Sequence, residues 1–212
     1  MWNSKNIFTG WVDVPLSRHG IEEAKAAGRS LAHLEFDVAF VSALIRSQLT
    51  LFIALSENDS PKTPILIHDS GREAEWGAIY GDQEVIPVRA AWQLNERMYG
   101  ELQGHNKEEA RARHGADQVH EWRRSYDVAP LNGESLEMTA ARTLPYFQEE
   151  IVPLLREGKR ILVSAHGNSL RAIVMQLEAL SPSEIVSREI PTGKPFGYTY
   201  SEGAFTKWEG AL

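Results

Sequence analysis

The chain has 212 residues, 42% hydrophobic and 24% charged, proportions that give a globular domain enough apolar material for a sizeable core. Its formal net charge of -7 excludes the basic field of general nucleic-acid binders, yet leaves room for a locally basic pocket that takes a small anion. No cysteine occurs, which excludes disulfides, thiolate metal sites and cysteine nucleophiles.

In chain order, residues 1–16 lack periodicity and read as loop, with neither the basic nor the apolar region of a secretory leader. Ser17 reads as the N-cap of a helix whose Ile21, Ala24, Ala27, Gly28 and Leu31 share one face. "FDVAFVSAL" (36–44) has the apolar, β-branched character of a buried strand, and 45–57 has helical spacing. Residues 57–90 mix charge, glycine and proline around one strand-like piece, "PILIHD", and read as an excursion within a single domain spanning 1–212. "NKEEARARHG", "ADQVHEWRRSY" and 135–158 read as helices, the last bent by Pro145 and Pro153. "KRILVSAHG" (159–167) is the clearest buried strand and runs into a helix from Asn168. Ser181 and Pro182 open a short helix, and a terminal hairpin turns at Glu202-Gly203. No run approaches the roughly 18 apolar residues of a membrane span. Strands alternating with helices predict an α/β fold, a mainly parallel sheet with helices on both faces and its ligand at the carboxyl ends of the strands.

At such a strand end lies "SAHGNS". His166 there, followed by Gly167 and the helix N-terminus at Asn168, suits a phosphoryl group, against the plainer reading of a strand-capping histidine. In "LNERMYGELQGHNK", Glu96, Arg97, Tyr99 and Lys107 offer a carboxylate among cations, and from pattern alone a solvated loop is an equal reading. Arg123 and Arg124 are adjacent, so they cannot share one helix face; an exposed basic pair is the plainer reading. Arg46 follows a strand and is a further anion clamp. No histidine has metal-ligand spacing, so no metal is expected. The Arg18-His19-Gly20 triplet sits at a helix start, not a strand end, and His19 is expected to face solvent.

The stretches "LNERMYGELQGHNK", "WRRSYDVAP", "GESL", "AHGNSLRAIV" and "IPTGKP" resemble the cofactor-dependent phosphoglycerate mutases of the histidine phosphatase superfamily, from Trp2 to about Pro195. The resemblance implies interconversion of 2- and 3-phosphoglycerate through a phosphohistidine primed by 2,3-bisphosphoglycerate, in glycolysis and gluconeogenesis. It also implies small phosphorylated carboxylic acids as partners, a cytoplasmic location, a homo-oligomer, and no nucleic acid or membrane. Glu96 would be the proton donor and acceptor, and His166 would stabilise the transferring phosphoryl group. Asn3, Thr9, Gly10, Arg46, Arg97, Met98, Tyr99, Lys107, Arg123, Arg124, Gly167 and Asn168 would bind substrate.

Four departures accompany it. Met98 stands where the family has histidine and offers only its backbone; 57–90 is longer than usual; the connection before "GESL" is shorter, which reduces a lid. Finally, Trp2-Asn3 match the last residues of the family's Arg-His-Gly-Glu/Gln-Ser-x-Trp-Asn segment, and Met1 the variable position. The expectation is a chain whose start is assigned too far downstream. It would lack the first strand and the nucleophilic histidine, have unpaired sheet edges, and be inactive unless extended upstream. The alternatives are a bisphosphoglycerate synthase or phosphatase, and a non-catalytic paralogue that binds phosphorylated acids.

Overall fold

The computed structural model describes residues 2, 5–68, 70–77 and 84–209. In chain order its elements are α1 (Arg18–Ser30), β1 (Val38–Ser42), α2 (Ile45–Leu55), β2 (Thr63–Ile67), α3 (Gly71–Gly77), β3 (Val85–Ala91), α4 (Lys107–His114), α5 (Ala116–Arg124), α6 (Leu136–Tyr146), α7 (Val152–Arg156), β4 (Ile161–Ser164), α8 (Gly167–Leu177), α9 (Pro182–Ser187), β5 (Tyr198–Ser201) and β6 (Ala204–Lys207). β1 to β4 form one parallel sheet in the order β2-β3-β1-β4.

Every residue of β1 is buried, as a strand covered on both faces requires of a run such as VAFVS. Its side chains alternate between two cores. Ala39 and Val41 join Leu31, Leu51, Leu55, Ile86 and Val88 on the face covered by α1 and α2. Val38 and Phe40 join Leu94, Phe147, Ile151, Val152 and Ile173 on the face covered by α7 and α8. α1 is capped where expected, the Ser17 hydroxyl accepting from the Gly20 amide at 3.1 Å. It packs so closely on α2 that a Cβ at Gly28 would lie 2.4 Å from the Ala54 carbonyl oxygen, so only glycine serves there. The helical stretch 135–158 is divided near its two prolines, a boundary of the kind they imply. Between Pro145 and Pro153 the chain makes a π-helical turn, Phe147–Ile151, because a proline contributes no N–H to the regular ladder.

The stretch 57–90 differs from its reading as an excursion: it supplies two of the four strands of the sheet, β2 and β3. Pro87 obscured β3, since proline argues against an interior strand. It is tolerated because Pro87 pairs with Ile65 of β2, whereas the pairing with β1 begins one residue later, at Ala39 opposite Val88.

The terminal hairpin turns at Glu202-Gly203 as expected, with Ser201 opposite Ala204. It is fastened to the end of α8 by one carboxylate. Glu178 accepts from the Tyr198 hydroxyl at 2.6 Å, the Lys207 ammonium at 3.1 Å and the Arg188 guanidinium at 3.2 Å. Among the described residues no helix is long and apolar enough to cross a membrane.

Candidate active site

Three strand ends are laced together by side chains. β1 ends in Ser42, whose hydroxyl lies 2.7 Å from His166 Nε2, just beyond β4. The segment after β3 is drawn in by Asn95, which accepts from the Ala43 amide at 3.0 Å. The Ser169 hydroxyl in the first turn of α8 donates to the Leu94 carbonyl at 2.9 Å. Glu96 and His166, far apart in sequence, are thereby drawn together at the carboxyl edge of the sheet, where an open α/β sheet binds its ligand.

Glu96 Oε1 accepts from the Arg97 amide at 2.7 Å, the Asn168 side-chain amide at 2.8 Å and the Asn168 backbone amide at 3.3 Å. Gly167 leaves room beside it: a Cβ there would lie 3.9 Å from Glu96 Oε2. Although Glu96 as a residue keeps some exposure, its carboxylate lies deep. Burial pushes the carboxyl group up, but the His166 ring, the Asn168 amide and the Arg97 amide and guanidinium outweigh it and hold it below its ordinary range. Burial depresses the His166 imidazole to about 4, against the pull of Glu96. At neutral pH the pair is therefore a carboxylate and a neutral imidazole. Both are already engaged within the protein, the carboxylate by three N–H donors and the imidazole Nε2 by the Ser42 hydroxyl.

Cations gather near this pair. Arg97 is 1% exposed, stacks 4.8 Å above the Tyr99 ring and donates to the Tyr99 hydroxyl at 3.3 Å. Its Nε is buried with no acceptor from the protein. Arg123 and Lys107 are both depressed by burial first. Lys107 is depressed next by Arg123 and Arg111; Arg124, Arg111 and Arg97 act on Arg123, with Tyr99 in partial compensation. Like charges crowded to this degree are relieved by an anion. Arg46 has a different place: it donates to the Gly10 carbonyl at 2.7 Å and the Val12 carbonyl at 3.0 Å, pinning the loop that carries Thr9 and Gly10. Arg124 is exposed and lines an open cleft of about 800 Å³ with His114 and His120, while still acting on Arg123. Asn3 lies outside the described residues.

Met98 departs from its expected role. Its N–H donates to Glu134 Oε2 at 2.9 Å and its carbonyl accepts from the Glu134 amide at 2.8 Å, so its backbone is engaged within the protein. Glu134 is in turn held by a two-bond ion pair with Arg142, 2.8 Å at each contact, both side chains largely buried. Arg142 also donates to the carbonyls of Gln93, Asn95 and Glu96 at 2.8, 3.1 and 3.0 Å, and the Trp11 indole reaches the same Glu96 carbonyl. The short connection before Glu134 packs flat on this region. A Cβ at Gly100, φ +54°, would lie 2.1 Å from the Leu131 carbonyl oxygen. Sequence reasoning missed Trp11, Ser42, Glu134 and Arg142 as supports; the quoted "GESL" was the one available signal.

Residues 1–87 and 78–208 match the histidine phosphatase superfamily (branch 1). The chain belongs to that superfamily. Within it, the chain groups with the 2,3-bisphosphoglycerate-dependent phosphoglycerate mutases, which are isomerases. It is 52% identical over 210 residues to the one from Protochlamydia amoebophila (strain UWE25), covering 97% of this chain and 93% of that protein. It is 51% identical over 210 residues to the one from Chlamydia trachomatis serovar L2b (strain UCH-1/proctitis), covering 98% and 92%. Among solved structures, Bacillus stearothermophilus YhfR superposes with a TM-score of 0.75 at 20% identity, over 97% of this chain and 89% of that one, a likeness of fold. His166 is the one buried histidine among the described residues.

Proposed function

We propose that this site binds 2- and 3-phosphoglycerate and takes part in their interconversion. The observation that carries the reading is Arg97, a buried guanidinium with an unsatisfied Nε, set among Lys107 and Arg123 and across from the Glu96 carboxylate. A small acid with two negatively charged ends and a hydroxyl between them matches that set. The cations take the charged ends by charge-assisted bonds. Glu96 removes or returns the hydroxyl proton. His166 would exchange its contact with the Ser42 hydroxyl for one with an equatorial phosphoryl oxygen as charge moves onto it, with Gly167 opening the start of α8 to the same oxygen while Asn168 stays on Glu96. The residues also fit 2,3-bisphosphoglycerate, which carries more negative charge than either monophosphate; it would be held by Arg97, Lys107 and Arg123, and it supplies the priming phosphoryl group. A cytoplasmic location and a homo-oligomeric state belong to this proposal.

Phosphoryl acceptance requires an imidazole beside His166. His19, His33, His68, His105 and His120 are exposed, and His114 packs on Trp122. That observation favours the second reading, binding of phosphorylated acids without chemistry, for the residues described. Titration calorimetry with 3-phosphoglycerate, followed by phosphorus NMR of the same mixture after addition of catalytic 2,3-bisphosphoglycerate, tests both. Binding with formation of 2-phosphoglycerate supports the mutase reading, and binding with an unchanged spectrum supports the binding reading. Release of inorganic phosphate points to a phosphatase, and absence of binding overturns all three.

A further inference from the structure

Asn168 offers Glu96 its side-chain NH2, and the polarity of that amide needs a cause, since its two ends have nearly the same shape. The cause stands one turn along α8. Arg171 Nη1 donates to Asn168 Oδ1 at 3.3 Å, while its Nε donates to the Arg188 carbonyl at 2.7 Å. A guanidinium has only donors, so it accepts the oxygen end of the amide and turns the nitrogen end toward Glu96. The second bond fixes the guanidinium to the segment after α9, so it cannot follow Asn168 in a flip. Neither anion binding nor proton transfer, as described above, assigns Arg171 any part.

We propose that Arg171 is a positioning residue for Glu96, acting through Asn168. It determines that the Glu96 carboxylate receives the Asn168 side-chain NH2 beside the Asn168 backbone amide, rather than facing an amide oxygen. The role matters for catalysis only on the reading above, in which Glu96 moves the hydroxyl proton, but the relay itself is a property of the unliganded chain. Charged and titratable groups act on both its ends. Glu96 is influenced by His166 and Arg97, and it acts on Arg46. Arg171 is influenced by Glu96, Arg97, Arg124 and Tyr99. Loss of Arg171 therefore removes a cation as well as a tether, and the test must separate the two.

The experiment is carbon- and nitrogen-detected NMR of the full chain without ligand, following the Glu96 carboxyl titration and the exchange of the Asn168 side-chain NH2. Arg171→Met is expected to raise the Glu96 midpoint by at least one pH unit and to speed the Asn168 exchange at least tenfold. Arg171→Lys, which keeps the charge and one donor, is expected to give less than half of each effect. In an Asn168→Ala background, Arg171→Met is expected to move the Glu96 midpoint by less than a third as much. An equal shift in the two backgrounds, or no change in Asn168 exchange, overturns the proposal. If Arg171→Met does not fold, the same comparison with Arg171→Lys in the two backgrounds decides it by the same criterion. Failure of the chain to bind 3-phosphoglycerate would remove the mutase reading and leave these shifts in place.

Discussion

The two ends of the parallel sheet both carry clusters of charge, and the clusters are built in opposite ways. At the amino ends, Arg160 before β4 meets Asp37 before β1 through contacts of 2.8, 3.0 and 3.1 Å, with Glu35 and Lys62 alongside. Those charges answer one another: the Arg160 guanidinium holds Asp37 at about 2, and Asp37 and Glu35 raise Arg160. At the carboxyl ends, Arg97 is buried with its Nε unpartnered, and the half-buried Lys107 and Arg123 are lowered by burial and by neighbouring cations. A perturbed titration is thus no marker of function by itself. What distinguishes the site is perturbation that the protein leaves uncompensated, as the first cluster does not.

The contrast breaks or holds on four measurements. Arg97→Met should weaken 3-phosphoglycerate binding by two to three orders of magnitude, about 3–4 kcal/mol, while the unliganded fold loses nothing or gains about 1 kcal/mol, because the desolvation of a buried guanidinium with an unpartnered Nε offsets its attraction to Glu96. Calorimetry and chemical denaturation check the two signs; a large loss of stability would show that Arg97 is structural. Next, acid should cost the carboxyl end stability through His166. Its folded value of about 4 lies below its unfolded 6.5, so the unfolded chain binds the extra proton between those values. Stability falls as pH drops through that window, by about 3 kcal/mol at its foot. The wild-type slope should exceed that of His166→Gln there, and equal slopes would place the ring in solvent.

Asp37→Asn should cost about 1 kcal/mol, discounted for the exposure of its partner Arg160, and leave phosphoglycerate binding within twofold. The corresponding acid loss has the depressed-carboxylate sign: the contribution is present above about 3.8 and disappears as pH falls through 2. A binding defect in this variant would erase the distinction between the two ends. Smallest of all, His19→Ala should change neither binding nor stability by more than about 0.5 kcal/mol, since the side chain is 84% exposed and meets only Glu23 across one turn.

His19 also shows what a sequence can and cannot say. Its Arg-His-Gly setting copies a catalytic motif, yet Ser17 just before it marks a helix start, and that local fact was enough to set it aside. His166 was readable for the same kind of reason: a strand, a glycine and a helix start are adjacent in the chain. The strand β1 and helices α1, α2 and α8 were legible from periodicity. β3 was hidden because its proline is excused by register, a relation between strands that no single segment carries. Ser42, Trp11, Arg142 and Arg171 were hidden similarly. Each is held in place by a partner 17 to 124 positions away, and their value comes from which backbone carbonyl or ring they meet.

Glu178 has a consequence for how the molecule opens. Three donors from three segments end on one oxygen, so no donor is individually decisive, whereas the acceptor is shared by all. Fluctuations that free that oxygen would loosen β5, β6 and the Arg188 segment together, leaving Phe205 against Phe147 and Tyr200 on Arg156 as the hairpin's remaining hold. The carboxyl-terminal hairpin then behaves as one cooperative unit of local unfolding, whose amides exchange together and not in sequence from the chain end inward.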